Sequence, residues 1–167
     1  MLSGIVIVGD AETAAPRPEW LARSLSALVP AVVEGLVSDV VVAGTSVEPT
    51  DRRIADHAGC RVLAGDDALA DALRQAPRSH IFVLLAGAVP EESYIDEIGL
   101  LMRGEEPPRL SWLLRVRRRG LATLRPGAVV GLLVPRTRLA GLSAADFRHL
   151  TQLRPARDLK SRARQVP

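Results

Sequence analysis

Four short strand-like segments, each followed by a segment with helical spacing, constrain this chain more than any other feature. Ser3–Val8 (SGIVIV) and His80–Ala86 (HIFVLLA) are continuous apolar runs, and Asp39–Ala43 (DVVVA) and Cys60–Ala64 (CRVLA) read as the second and third strands. Strands that alternate apolar and polar cover one face, whereas continuous β-branched runs indicate strands covered on both faces. Between the runs, Leu21, Leu25, Leu28, Val32 and Leu36 recur at helical spacing. Leu69, Ala72, Leu73 and Ala76 do the same, as do Tyr94, Ile95, Ile98, Leu101 and Met102. Strand–helix units in series predict an α/β fold: a single-domain, mostly parallel sheet with right-handed crossovers and helices on both faces.

The densest unit is Val40–Cys60, VVVAGTSVEPTDRRIADHAGC. A strand meets a small-residue turn, Pro49 or Thr50 starts a helix, and Gly59 stops it at the position where a left-handed cap is cheapest. Ligands in open α/β sheets bind at such turns, outside the carboxyl ends of the strands. After Gly104 the pattern changes. Leu110–Val116, Leu121–Leu124 and Ala128–Pro135 read as strands with short basic connections, and Ser143 opens a last helix, SAADFRHLTQL. The division expected is one domain over 1–153, followed by a polar, basic tail, 154–167, that is frayed or disordered.

Composition removes several function classes. Aromatic residues are 3% of the chain, too few for a base-stacking platform of the single-strand-binding kind, so no specific nucleic acid is expected. No apolar run approaches the roughly 20 residues of a membrane span, and the N-terminus lacks the basic flank of a signal peptide. One cysteine, Cys60, excludes an internal disulfide and a cysteine-rich metal site. The expected location is cytoplasmic, peripheral to the inner face of the membrane if the basic half docks there. Residues 1–102 hold 7 Arg against 15 acidic residues, while 103–167 hold 15 basic against 4 acidic. That lopsidedness makes an anionic membrane surface or a lipid-linked acceptor a candidate partner of 103–167.

Three segments carry a family resemblance. ALVPAVVEGLVSDVVVAGTSVEPTDRRIADHAGCRVL (Ala27–Leu63), HIFVLLAGAVPEESYIDEI (His80–Ile98) and RPGAVVGLLVPRTRLAGLSAADF (Arg125–Phe147) resemble the nucleotide-sugar-binding half of family 2 glycosyltransferases. The resemblance spans Ile5 to Leu153 and implies the GT-A fold, truncated before much of the acceptor-binding region. It also implies a hexosyl transferase using a nucleotide-diphospho-sugar, in which an aspartate after the second strand binds the nucleoside and a D-x-D motif after the fourth holds a divalent metal. Here the first position falls on Ala43 or Gly44, and the metal motif on Leu85 and Gly87, so no metal ligand is retained and no cofactor is expected.

The resemblance makes Asp146 the candidate catalytic base, and Gly44, Ser46 and Glu48 candidate nucleotide contacts. Asp10 and Glu12 join them as polar residues after the first strand. Arg136 and Arg138 are the candidate cations for a diphosphate held without metal. Local structure offers other roles: Ser143-x-x-Asp146 has capping-box spacing, Ser46 and Thr50 are natural helix caps, and Asp51 suits the first turn of an exposed helix. Two functions follow from the sequence, a glycosyltransferase-like enzyme or a catalytically inactive binding or regulatory module on the same fold.

Overall fold

A computed structural model describes residues 1–9, 18–104, 109–117, 127–139 and 146–165. Asp10, Glu12, Ser143 and the expected strand Leu121–Leu124 lie outside the described residues.

The chain forms a mixed eight-stranded sheet. Its strands are β1 (Leu2–Ile7), β2 (Val37–Gly44), β3 (Arg61–Ala64), β4 (His80–Leu85), β5 (Ala88–Pro90), β6 (Ser111–Val116), β7 (Val129–Pro135) and β8 (Ala156–Gln165). The order is β3-β2-β1-β4-β7-β6-β8-β5. The pairs β1–β2, β1–β4, β2–β3 and β6–β8 are parallel, and β4–β7, β6–β7 and β5–β8 antiparallel.

Among the described residues, five α-helices cover the two faces: α1 (Pro18–Val33), α2 (Pro49–His57), α3 (Ala68–Gln75), α4 (Ser93–Arg103) and α5 (Phe147–Gln152). Alternation along the central strands divides the core in two. Val6, Phe82 and Leu84 face one side with Leu21, Leu25 and Leu28 of α1, Ala55 of α2 and Ile95 of α4. Ile5, Ile7, Ile81 and Val83 face the other with Leu69 and Leu73 of α3 and Leu150 of α5. Strands buried on both faces are the physical reason for the continuous apolar runs in the sequence. Phe82 and Tyr94 stack at 5.7 Å between centroids, and the Tyr94 hydroxyl donates to the Ala27 carbonyl of α1 at 3.0 Å.

Three expectations are corrected. The tail from Arg154 is not frayed: Ala156–Gln165 is β8, lying between β6 and β5 and burying Leu159, Ser161 and Ala163. Residues 88–90 form a short strand instead of running straight into a helix, because β8 offers them a partner. The last helix begins at Phe147, not Ser143, since Asp146 has extended backbone angles and caps it from outside.

Candidate functional site

Strands β1, β2 and β4 run parallel, so their carboxyl ends, Val8, Gly44 and Leu85, share one edge. α1 begins and α2 begins at that same edge, and both pack on one side of the sheet. The matched nucleotide and metal positions therefore do come together here, as the strand–turn–helix pattern suggests.

What stands there is not a set of carboxylates. Ala43 is fully buried in the core on the α3 side. Gly44 closes the other option, because a Cβ at this position would lie 2.4 Å from the Val8 carbonyl oxygen. Neither position can present an acid to a ligand without moving β1. Beyond it, Thr45, Ser46 and Glu48 are exposed. The Ser46 hydroxyl donates to Glu48 at 3.4 Å, and Thr45 to the Gly9 carbonyl at 3.3 Å.

At the end of β4 the departure is larger. Leu85 is half-buried and packs against the α3-side core. Gly87 has φ of +89°, a conformation that favours glycine. Its amide donates to the Ser24 hydroxyl at 3.0 Å and the Trp20 carbonyl at 3.3 Å. A Cβ at Gly87 would meet the Trp20 indole at 3.3 Å. A divalent ion, which the resemblance implies, does not fit these residues: the two matched positions offer no donor, and the indole covers the second. Among the described residues, no group of three or more His, Cys, Asp or Glu could hold a metal.

Arg136 and Arg138 lie at the opposite end of the sheet. β7 runs antiparallel to β4 with Pro135 opposite His80, and the Arg136 amide donates to Ser79 at 2.8 Å. The length of β4, roughly 20 Å, separates this end from Gly87. The Arg136 guanidinium donates to the carbonyls of Ala76 (2.8 Å) and Arg74 (3.1 Å), closing the C-terminus of α3. Arg138 donates to the Pro155 carbonyl at 2.8 Å and also to that of Arg154. Both are tied to backbone carbonyls at the wrong edge for a diphosphate, so the role expected of them does not match their placement.

Asp146 is the N-cap of α5. One carboxylate oxygen accepts from the His149 amide at 2.6 Å, and the other lies 3.1 Å from the His149 ring. Both oxygens are engaged within its own helix.

One acid near the turn behaves unexpectedly. Asp51, in the first turn of α2, is not on an exposed surface; it is 1% exposed, on the same helix face as buried Ala55. Its Oδ1 has no hydrogen-bond partner. Burial, and secondarily the charge of Glu48, push its pKa above the ordinary carboxylate range. The i, i+4 relation of Asp51 to Ala55 was the sequence signal for this placement.

No protein-family model matches the chain, and no curated protein does either. Solved structures do resemble it. Glucosyl-3-phosphoglycerate synthase from Mycobacterium tuberculosis in complex with phosphoglyceric acid superposes with a TM-score of 0.66 at 15% identity, over 99% of this chain and 72% of that one. The same synthase with Mn2+ and UDP-glucose gives 0.63 at 16%, covering 99% and 71%. With Mn2+, UDP and glucosyl-3-phosphoglycerate it gives 0.57 at 17%, covering 82% and 57%. The chain has the GT-A fold. At such identity the likeness speaks for the fold alone.

Proposed function

We propose that this chain is a nucleotide-sugar-transferase fold used for binding, without metal-assisted sugar transfer. The observation that carries the reading is the end of β4, where Leu85 and Gly87 replace the metal motif and Trp20 lies against Gly87. A departing diphosphate gathers negative charge, and transfer needs a cation or fixed donors to stabilise it. Arg136 and Arg138 hold backbone carbonyls at the far edge of the sheet. Structures of the synthase from M. tuberculosis are described with UDP, UDP-glucose and Mn2+, which makes a nucleotide sugar the ligand class to test first. Purified chain incubated with a panel of nucleotide sugars and acceptors, with and without Mn2+, is expected to release no nucleoside diphosphate above the protein-free rate. Turnover of any member would overturn the reading.

A second reading concerns the basic half. β8 exposes Lys160 and Arg164, which alternate with buried Leu159, Ser161 and Ala163, cations suited to an anionic membrane surface. Sedimentation with anionic vesicles should then fall steeply between low and high salt; binding that ignores salt, or no binding, would remove this role.

A further inference from the structure

We propose that the outer face of α1 is a self-association surface, on which a second copy of this chain packs its own α1 antiparallel, Val29 against Ser26 and Val33 against Ala22. This goes beyond the binding reading above and holds whether or not a nucleotide sugar is a ligand.

α1 buries Leu21, Leu25 and Leu28 against the sheet. At 3.6 residues per turn, Ala22, Ser26, Val29 and Val33 fall on one stripe, turned away from that buried face. Val29 is 55% exposed and Val33 80%, with Val32 beside them at 45%. Along one side of the stripe, α1 and α2 leave a groove of about 500 Å3 whose walls include Leu25, Leu28, Val32 and Ile54. Water held against so much aliphatic surface is unfavourable, and contiguous patches of this kind mark contact surfaces.

The stripe is complementary to itself. Its first half carries the small residues Ala22 and Ser26, and its second half the larger Val29 and Val33. Antiparallel packing centred between Ala27 and Leu28 sets each valine of one copy on a small residue of the other, and a parallel pairing would set valine on valine. The charges obey the same register. Arg23 and Glu34 are exposed, lie on the same flank of the stripe, and form no ion pair among the described residues. In the antiparallel arrangement Arg23 of one copy comes level with Glu34 of the other, twice by symmetry; the parallel one loses both pairs. α1 is about 24 Å long, and with the near wall of α2 the face is about 20 Å wide. Pairing then buries about 500 Å2 per copy, near the lower limit of specific interfaces, which makes the dimer weak and dependent on concentration.

The test is sedimentation equilibrium of the full chain from about 5 to about 500 µM, a range that brackets a weak interface. A monomer–dimer equilibrium is expected. Val29→Glu and Val33→Glu, at sites exposed in the monomer, should each weaken it about 10-fold or more with unchanged melting. Arg23→Glu and Glu34→Arg should each weaken it about 2–5-fold, and the double reversal should recover the original association. In a Cys60→Ser background, a mixture of Ala22→Cys and Val33→Cys chains should form disulfide-linked dimers faster than either chain alone. Monomer at every concentration overturns the proposal, as does a dimer indifferent to both valine substitutions or a double reversal that fails to recover. So does self-linking of Val33→Cys that outpaces the mixture. Binding to phosphatidylcholine vesicles that Val33→Glu abolishes, in a chain that stays monomeric, would give the face to a lipid surface and overturns the proposal as well.

Discussion

At the scale of single residues, Gly44 and Asp51 make opposite predictions. A Cβ at Gly44 collides with the backbone of β1, not with a flexible side-chain tip, so relief requires the strand to move. Gly44→Ala is expected to cost about 1–3 kcal/mol, the usual penalty for overpacking, read as a lower midpoint in urea. Gly44→Asp, which would place an acid at the same crowded position, should destabilise at least as much. Asp51→Asn should instead raise Tm at pH 7, because it removes a buried charge lacking a donor. The sign follows from linkage. A carboxyl whose folded pKa lies above its unfolded value binds its proton more tightly when folded, so its ionisation costs stability as pH rises through that window. The advantage of Asp51→Asn should therefore shrink towards zero below the ordinary carboxylate range, in melts recorded from pH 3 to 8.

At the scale of elements, legibility followed burial. β1, β2 and β4 are covered on both faces and could be read directly as apolar runs. β8 was not, because ARDLKSRARQ is dominated by charge. Its strand signal was nonetheless present: Leu159, Ser161 and Ala163 are buried at a spacing of two. β5 spans three residues and had no local signature, existing only because β8 pairs with it. The candidate site was legible in the same uneven way. The strand–turn–helix scaffold could be read, but the covering of Gly87 by Trp20 depends on packing between segments remote in sequence. Glu97 shows how β8 is held. Its carboxylate accepts from the Lys160 amide at 2.7 Å and the Ser161 amide at 2.8 Å, where β8 bulges against β6. Burial acts to raise the Glu97 pKa, but the hydrogen bonds from Ser161 and Lys160 together outweigh it, and the net value lies below the usual range. The stability this supplies is present above the unfolded pKa and lost as pH falls through the folded one. Glu97→Gln should cost about 1 kcal/mol at pH 7, the modest figure reflecting partial solvent screening of a charge-assisted bond. Wild type and variant should converge in acid, as followed by urea titration at several pH values.

At the scale of the whole molecule, the sheet depends on its last strand. β8 pairs with both β6 and β5, so a chain ending at Pro155 would strip β5 of its neighbour and leave the edge of β6 open. Losing Leu159 alone removes about 1.5–3 kcal/mol of burial, and the strand pairings add to that. Such a truncation is expected to melt well below the full chain, or to aggregate through β6, as judged by circular dichroism and size-exclusion chromatography; an unchanged melt would contradict the role given to β8. The same strand has a practical meaning for anyone handling the protein. Gln165 lies opposite Ala88, the neighbour of Gly87, in the β5–β8 ladder. A fluorophore or spin label fused after this strand would leave the sheet beside the Trp20 edge and act as a built-in reporter of that edge. A bulky purification tag placed there would crowd the same spot, so assays of ligand binding belong on N-terminally tagged or tag-free protein.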